Sequence, residues 1–338
     1  MNLPDAHNKS TPGDDEALPP MPERIAGRYN VRGLLGRGGF GAVYEAYDEL
    51  EERPVALKVI RRDASLDPPG SRSSEMPSAT IAPVSHASSG RALDGLRKAQ
   101  VTRSFGNTQG NAVDTVMDNF KAEFRLLTQL HHPNLAAVYD FGRCDGDVVY
   151  FTQELLSGQS LAEFLRGASR ETVVEIFVQL ARALDYIHAL GFVHEDIKPS
   201  NVIVCQPETD GSQPQAKLID FGLARLFRRG NTSASELDDP EEYKVLGTPG
   251  FSAPEKVKGE PTDSRSDIYS LAATIYTAVR GGRPFPSRTF KEALRNQLDW
   301  RPELAGALLQ SCGPVVAELV GRMLSPDPNL RPQSARSI

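Results

Sequence analysis

Residues 194–204 read HEDIKPSNVIV, and residues 218–222 read LIDFG. The first stretch sets Asp196, Lys198 and Asn201 within six positions, between a long amphipathic helix and a short apolar strand. The helix is read in ETVVEIFVQLARALDYIHAL, where Val173, Ile176, Phe177, Leu180, Leu184 and Ile187 fall on one stripe at helical spacing. Further helices are expected in SDIYSLAATIYTAV, TFKEALRNQL and PVVAELVGRML. Upstream the period changes. From Tyr29 to Ile60 two-residue alternation predicts three antiparallel strands with a glycine-rich turn after the first. DTVMDNFKAEFRLLTQL then predicts a helix with Val116, Phe120, Phe124 and Leu127 on one face, followed by strands around LAAVYDFG and DVVYFTQEL. A small β-rich half before a larger helical half implies an α+β fold of two lobes with a cleft between them.

The organisation expected is a disordered, polar and proline-rich tail over 1–25, a first lobe over 26–155 and a second over 156–338. Residues 61–111 interrupt the first lobe. They hold nine Ser, four Pro, five Gly and the lone aromatic Phe105, too little apolar surface for a packed element, so they read as a mobile insertion. The final PNLRPQSARSI reads as the opening of a helix.

With 39% hydrophobic and 24% charged residues the chain has the material for a sizeable core. Its net charge of −6 carries no polycationic signature, which argues against nucleic acid as a partner. Cys144, Cys205 and Cys312 show no CxxC spacing and read as reduced thiols. No apolar run is long enough to span a bilayer, and the acidic N-terminus lacks the basic start and apolar core of a signal peptide. A cytoplasmic location is expected.

Residues 36–43, GRGGFGAV, have the form GxGxxGxV. Phosphates need backbone N–H groups at close range, which residues without Cβ permit in a tight turn. A glycine-rich hairpin with no ligand would read the same way. A dinucleotide fold is disfavoured, because a strand rather than a helix follows. Lys58 ends the apolar strand VALK and would ordinarily be a solvated edge residue; Glu123, on the helix after the insertion, is the acid to pair with it. Phosphoryl transfer to a hydroxyl needs a carboxylate for the proton, a cation near the γ-phosphate and oxygen ligands for a metal. Asp196, Lys198 and Asn201 supply one each, and Asp220, nineteen positions beyond Asn201, offers a second carboxylate beside a glycine. Asp and Asn capping ordinary turns would explain each motif alone, but not their joint order.

That order resembles the eukaryotic-type serine/threonine protein kinases, in a bacterial-looking form, from about residue 28 to the end. The glycine loop, the Lys of VALK, HxDxKxxN, DFG, Ala253-Pro254-Glu255 and Arg331 follow in the family's sequence. The resemblance implies a two-lobed kinase fold, with a small antiparallel sheet and one helix in the first lobe and a mainly helical second lobe. It implies ATP with Mg²⁺, or Mn²⁺, as cofactors and Ser/Thr hydroxyls of proteins as acceptors, the chain itself among them, in a signalling role. It makes Asp196 the catalytic base, with Lys198 and Lys58 as catalytic cations and Asn201 and Asp220 as metal ligands. Leu35, Gly36, Gly38, Gly41 and Val43 would cover the nucleotide. Ala56 with Val43 would roof the adenine, Ile203 would lie beneath it, and Glu154 and Leu156 would form the hinge after the gatekeeper Gln153. Lys58 would bind α/β-phosphate oxygens while paired to Glu123. Glu255 would pair with Arg331, and Asp267 would anchor the catalytic loop. Lys198 and the segment GTPGF, whose Thr248 would bridge Asp196 and Lys198, resemble the Ser/Thr pattern.

The chain departs from the family's pattern at Glu195, where an Arg usually precedes the catalytic Asp, and in the separation of 65 positions from Lys58 to Glu123. A phosphate on the activation loop would meet a like charge at Glu195, so basal activity without that phosphate is expected, although Arg225, Arg228 and Arg229 are alternative phosphate binders. Two rivals stay open here. A scaffold could keep the fold without turnover, and a small-molecule phosphotransferase shares the Asp/Asn loop but lacks VALK and the APE segment. Replacing residues 64–108 by a short Gly/Ser link is expected to preserve folding and ATP binding, because loop closure free energy varies slowly with length. A thermal melt and titration with a fluorescent ATP analogue check this; loss of the cooperative melt would show that the segment packs.

Overall fold

The computed structural model describes residues 22–38, 41–61, 124–144, 148–206, 213–220, 250–287 and 290–338. The insertion 61–111 beyond Arg61, nearly all of the N-terminal tail, Val116, Phe120, Glu123, Thr248 and the Phe-Gly of DFG lie outside these residues.

Six strands form one antiparallel sheet: β1 (Arg24–Ile25), β2 (Tyr29–Gly38), β3 (Gly41–Asp48), β4 (Arg53–Arg61), β5 (Val138–Arg143) and β6 (Val148–Glu154), in the order β1-β2-β3-β4-β6-β5. The alternation read from Tyr29 to Ile60 is the β2–β3–β4 meander. Its outer face buries Ile25, Tyr29, Val31, Ala46, Val55, Leu57 and Tyr150 as a small core. Arg28 braces that edge, donating through Nε and Nη2 to Asp48 at 2.6 Å each and through Nη1 to Asp140 at 2.7 Å. The other face covers Phe124 and Leu127, which sit on the helical residues 124–127 and join the main core.

A three-stranded sheet follows, β7 (Gln159–Ser160), β8 (Val202–Cys205) and β9 (Gln215–Leu218), in the order β7-β8-β9. The helices are α1 (Leu161–Phe164), α2 (Arg170–Ala189), α3 (Pro254–Val257), α4 (Ser264–Arg280), α5 (Phe290–Leu298) and α6 (Leu309–Met323). Ser169 starts α2 by accepting the Thr172 N–H, and all six stripe residues expected for this helix are buried. Asp263 caps α4, and Gly281 ends it in the left-handed region with φ 72°. Helix α6 begins earlier than PVVAELVGRML suggests and is broken at Gly313 and Pro314, so its regular part is that apolar stretch. The final described residues form short 3₁₀ turns at Pro328–Leu330 and Ala335–Ser337. Among the described residues no helix is long and apolar enough to cross a membrane.

The helical lobe is locked by a buried ion pair. Arg331, 2% exposed, donates through Nη1 and Nη2 to the two oxygens of Glu255 at 2.7 and 2.9 Å. Its Nε donates to Ser325 O at 2.8 Å, and its guanidinium lies 4.9 Å from the Tyr269 ring centroid. Ser266 Oγ donates to the same carboxylate at 2.7 Å. Burial alone would raise the Glu255 carboxyl, but Arg331 outweighs it and holds the group below its ordinary range. Removing one partner strands the other charge, so Glu255→Ala is expected to cost about 3–5 kcal/mol in a denaturant titration. The depressed carboxyl also sets a pH dependence. Its contribution is complete above the ordinary value of 4.5 and is lost as the pH falls through the lower folded value. Glu255→Gln should flatten that acid limb of the stability curve.

Candidate active site

The stretch between α2 and β8 forms a tight loop whose polar groups are nearly all accounted for. Asp267, 0% exposed in the first turn of α4, accepts the His194 N–H at 2.7 Å, the Glu195 N–H at 2.9 Å and His188 Nε2 at 2.9 Å. Burial pushes its carboxyl up, yet these bonds and the neighbouring imidazoles hold it below its ordinary value. His194 is also buried. Its Nδ1 accepts the Asp196 N–H at 3.3 Å while Nε2 donates to Ile219 O at 3.2 Å, which fits a neutral ring protonated at Nε2. Burial lowers the His194 pKa despite the nearby Asp267 and Asp196 charges, in keeping with that tautomer. Asp267 therefore anchors the loop as expected.

Within this frame Asp196 Oδ2 accepts Lys198 Nζ at 2.8 Å and Asn201 Nδ2 at 3.0 Å. Asn201 Nδ2 also donates to Asp196 O at 2.8 Å, which fixes the amide flip and turns Oδ1 away as an acceptor. Asn201 O receives the Ile219 N–H at 2.9 Å, so the loop is tied directly to the strand end carrying Asp220. Asp220 has φ 57°, and its Oδ2 accepts Lys58 Nζ at 2.6 Å. The structure thus brings together Asp196, Lys198 and Asn201, and joins Lys58 on β4 to Asp220 just beyond β9. Among the described residues the partner of Lys58 is Asp220; Glu123, expected in that role, lies outside them.

Asp220 Oδ1 is buried without a hydrogen-bond partner among the described residues. An unpaired buried carboxylate oxygen is costly unless something cationic meets it, and the side-chain oxygens of Asp220 and Asn201 are of the type that Mg²⁺ or Mn²⁺ takes. The residues present fit that ion.

The positions expected to face a nucleotide lie on β2, β3, β4 and β8 and at the end of β6. Val43 pairs with Lys58 and Ala56 with Gln153, so the strand register brings Val43, Ala56, Lys58 and the buried Gln153 into adjoining strands. Leu35 is 51% exposed on β2. Ile203 on β8 pairs with Lys217, and Lys217 Nζ reaches both Glu154 oxygens at 2.7 and 2.8 Å. Glu154 also accepts the Ala137 N–H at 3.2 Å, and Leu156 follows it, partly buried. Sequence reasoning missed Lys217. In QAKL it is an unremarkable alternating polar residue, and only its pairing across the lobes marks it. Lys256 and Thr262, which contact Glu195, were missed for the same reason.

The loop glycines divide. Gly41 has φ 138°, and a Cβ there would lie 1.9 Å from Val59 O, so the sheet itself demands glycine. Gly36 follows a shift in the β2–β3 register, yet a Cβ there would meet nothing within 4 Å among the described residues, whose packing does not account for it. Gly38 pairs with Gly41 at the turn. Gly41→Ala is expected to lower the melting temperature with or without nucleotide. Gly36→Ala should leave stability unchanged or raised by up to about 1 kcal/mol. It should instead weaken binding of a fluorescent ATP analogue. Equal behaviour of the two variants would show that both glycines serve the sheet.

The sequence matches the protein kinase domain family over residues 104–338, downstream of β4. Similarity to curated relatives extends further. The chain is 28% identical over 320 residues to the probable serine/threonine-protein kinase SCO3848 of Streptomyces coelicolor, covering 93% of this chain and 39% of that one. It is 28% identical to the serine/threonine-protein kinase PknA of Mycobacterium tuberculosis (77% and 48% covered) and 30% identical to pkn2 of Myxococcus xanthus (93% and 32%). The chain thus spans less than half the length of these relatives. The crystal structure of the Mycobacterium tuberculosis PknI kinase domain superposes with TM-score 0.55 at 23% identity, covering 92% of this chain and 93% of that one, a likeness of fold. With the match covering well over half of its residues, the chain belongs to the protein kinase domain family.

Proposed function

We propose that this chain is an ATP-dependent protein kinase that transfers the γ-phosphoryl group to serine or threonine hydroxyls of proteins, its own included, in a signalling role. The observation that carries the reading is the joining of Asp196, Lys198 and Asn201 in one hydrogen-bonded cluster, tied through Ile219 to the Lys58–Asp220 pair. The serine/threonine names of the relatives, and Lys198 two positions after the base, favour that acceptor. Cys144, Cys205 and Cys312 form no disulfide among the described residues, in keeping with a reducing cytoplasm.

Asp196 would take the proton of the acceptor hydroxyl and orient it for in-line attack. Lys198, bonded to the same carboxylate oxygen, keeps a positive charge beside the phosphoryl in transfer and holds Asp196 in its rotamer. Asn201 and Asp220 would hold Mg²⁺ or Mn²⁺, which when bound neutralises phosphate charge. Lys58 carries the cation suited to the α/β-phosphates; its bond to Asp220 balances both charges in a partly buried cleft. Val43, Ala56 and Ile203 supply apolar surface for the adenine, and the Glu154 and Leu156 main chain supplies its hydrogen-bonding edge. Leu35 and the glycine loop cover the phosphates.

Each of Asp196→Asn, Lys58→Met and Asp220→Asn is expected to cut transfer of labelled phosphate by roughly 10²–10³ or more. The melting temperature should stay within a few degrees of wild type. Mass spectrometry of the labelled chain and of a peptide mixture identifies the acceptor type. Retained activity in all three variants would defeat the assignment.

A further inference from the structure

The peptide bond between Glu195 and Asp196 is held at both ends. Its N–H donates to His194 Nδ1 at 3.3 Å, and its carbonyl oxygen accepts Lys256 Nζ. Lys256 belongs to α3 and is 5% exposed, so its ammonium is turned inward, where a lysine stem would ordinarily carry it to water. Glu195 is fixed on its other atoms as well. Its N–H donates to Asp267 Oδ1 at 2.9 Å, its Oε1 accepts Thr262 Oγ1 at 3.4 Å, and its φ of 67° is a left-handed conformation that a non-glycine residue keeps only under constraint.

We propose that Lys256 is a positioning residue for Asp196, acting through the Glu195 carbonyl to hold the peptide plane that aims the catalytic carboxylate. The proposal rests on the kinase reading and adds a regulatory consequence to it. The grip on the catalytic loop comes from a cation of the chain itself, and it acts on a backbone atom, so it does not need an Arg before Asp196. A loop held this way is set for activity before any phosphate is added.

Lys256→Met removes the donor and keeps the apolar stem; Lys256→Arg keeps a donor. Loss of the hold should lower kcat on an external peptide by about 10- to 100-fold, as small misplacements of a reacting group do. KM for ATP should stay within about threefold, because the nucleotide-facing strands are untouched. Hydrogen exchange at the Glu195 and Asp196 amides should quicken in Lys256→Met, with the helical lobe's other amides unchanged. Lys256→Arg should recover most of both. A kcat within threefold of wild type or unchanged local exchange in Lys256→Met would overturn the proposal. So would loss of protection throughout the helical lobe or failure of the variant to fold, since Lys256 would then be a core residue. If wild-type protein moves no phosphate, the kinase reading fails on its own account, and the exchange comparison still decides whether Lys256 holds the peptide.

Discussion

A single carboxylate inside the helical lobe, Asp267, governs the geometry of the loop that carries Asp196, Lys198 and Asn201. It is fully buried, and an ion there survives only if its lone pairs are met. His188 from the end of α2 and the His194 and Glu195 amides meet them, and its position in the first turn of α4 adds the favourable end of the helix dipole. None of these partners can move alone without leaving a charge or an amide unpaired in a dry interior. The end of α2, the loop and the start of α4 therefore behave as one body. The loop's unusual backbone at Glu195 follows from this arrangement.

The two lobes meet through β9 and the residues after it. Leu218 exchanges backbone hydrogen bonds with Asn134 and Ala136, at 2.9 and 3.0 Å, so the segment leading into the first sheet lies alongside a strand of the second lobe. Asn134 Nδ2 donates to Gln179 Oε1 and Ala216 O, tying α2 to the same place. On one side of that seam Lys217 holds Glu154; three positions on, Asp220 holds Lys58. The short strand β9 and the two residues after it thus carry both ion pairs. Both ion pairs are only partly buried, so solvent screens them more than it would in a sealed core.

Much of this was legible in the sequence because the chemistry there is crowded into short, ordered motifs. Asp196, Lys198 and Asn201 are local to one loop, and the stripe on α2 and the alternation of β2–β4 follow the periods of their elements. The Glu255–Arg331 pair and the Asp267 anchor were legible only through family resemblance, since 76 residues separate the first pair. What stayed hidden has a common cause. Lys217, Thr262 and Lys256 act across long sequence separations, on the Glu154 carboxylate, the Glu195 carboxylate and the Glu195 carbonyl, and no periodicity or spacing records that. Gly41 was legible as a glycine but not for its reason. The loop pattern points to phosphate, whereas the Val59 carbonyl excludes any side chain there.

The four-residue helix α3 shows how such hidden contacts add up. A single turn is too short to hold itself in water, so its place must be set from outside. Glu255 fixes it on one side, through Arg331 near the chain's end and Ser266 at the start of α4. On the other side the next residue, Lys256, reaches the Glu195 carbonyl. A change at the Arg331 end would therefore be felt at Asp196 through two adjacent side chains and one peptide plane. The buried ion pair does more than add stability to a remote corner. It sets the place of the turn from which Lys256 reaches the Glu195 carbonyl, although 76 residues separate Glu255 from Arg331.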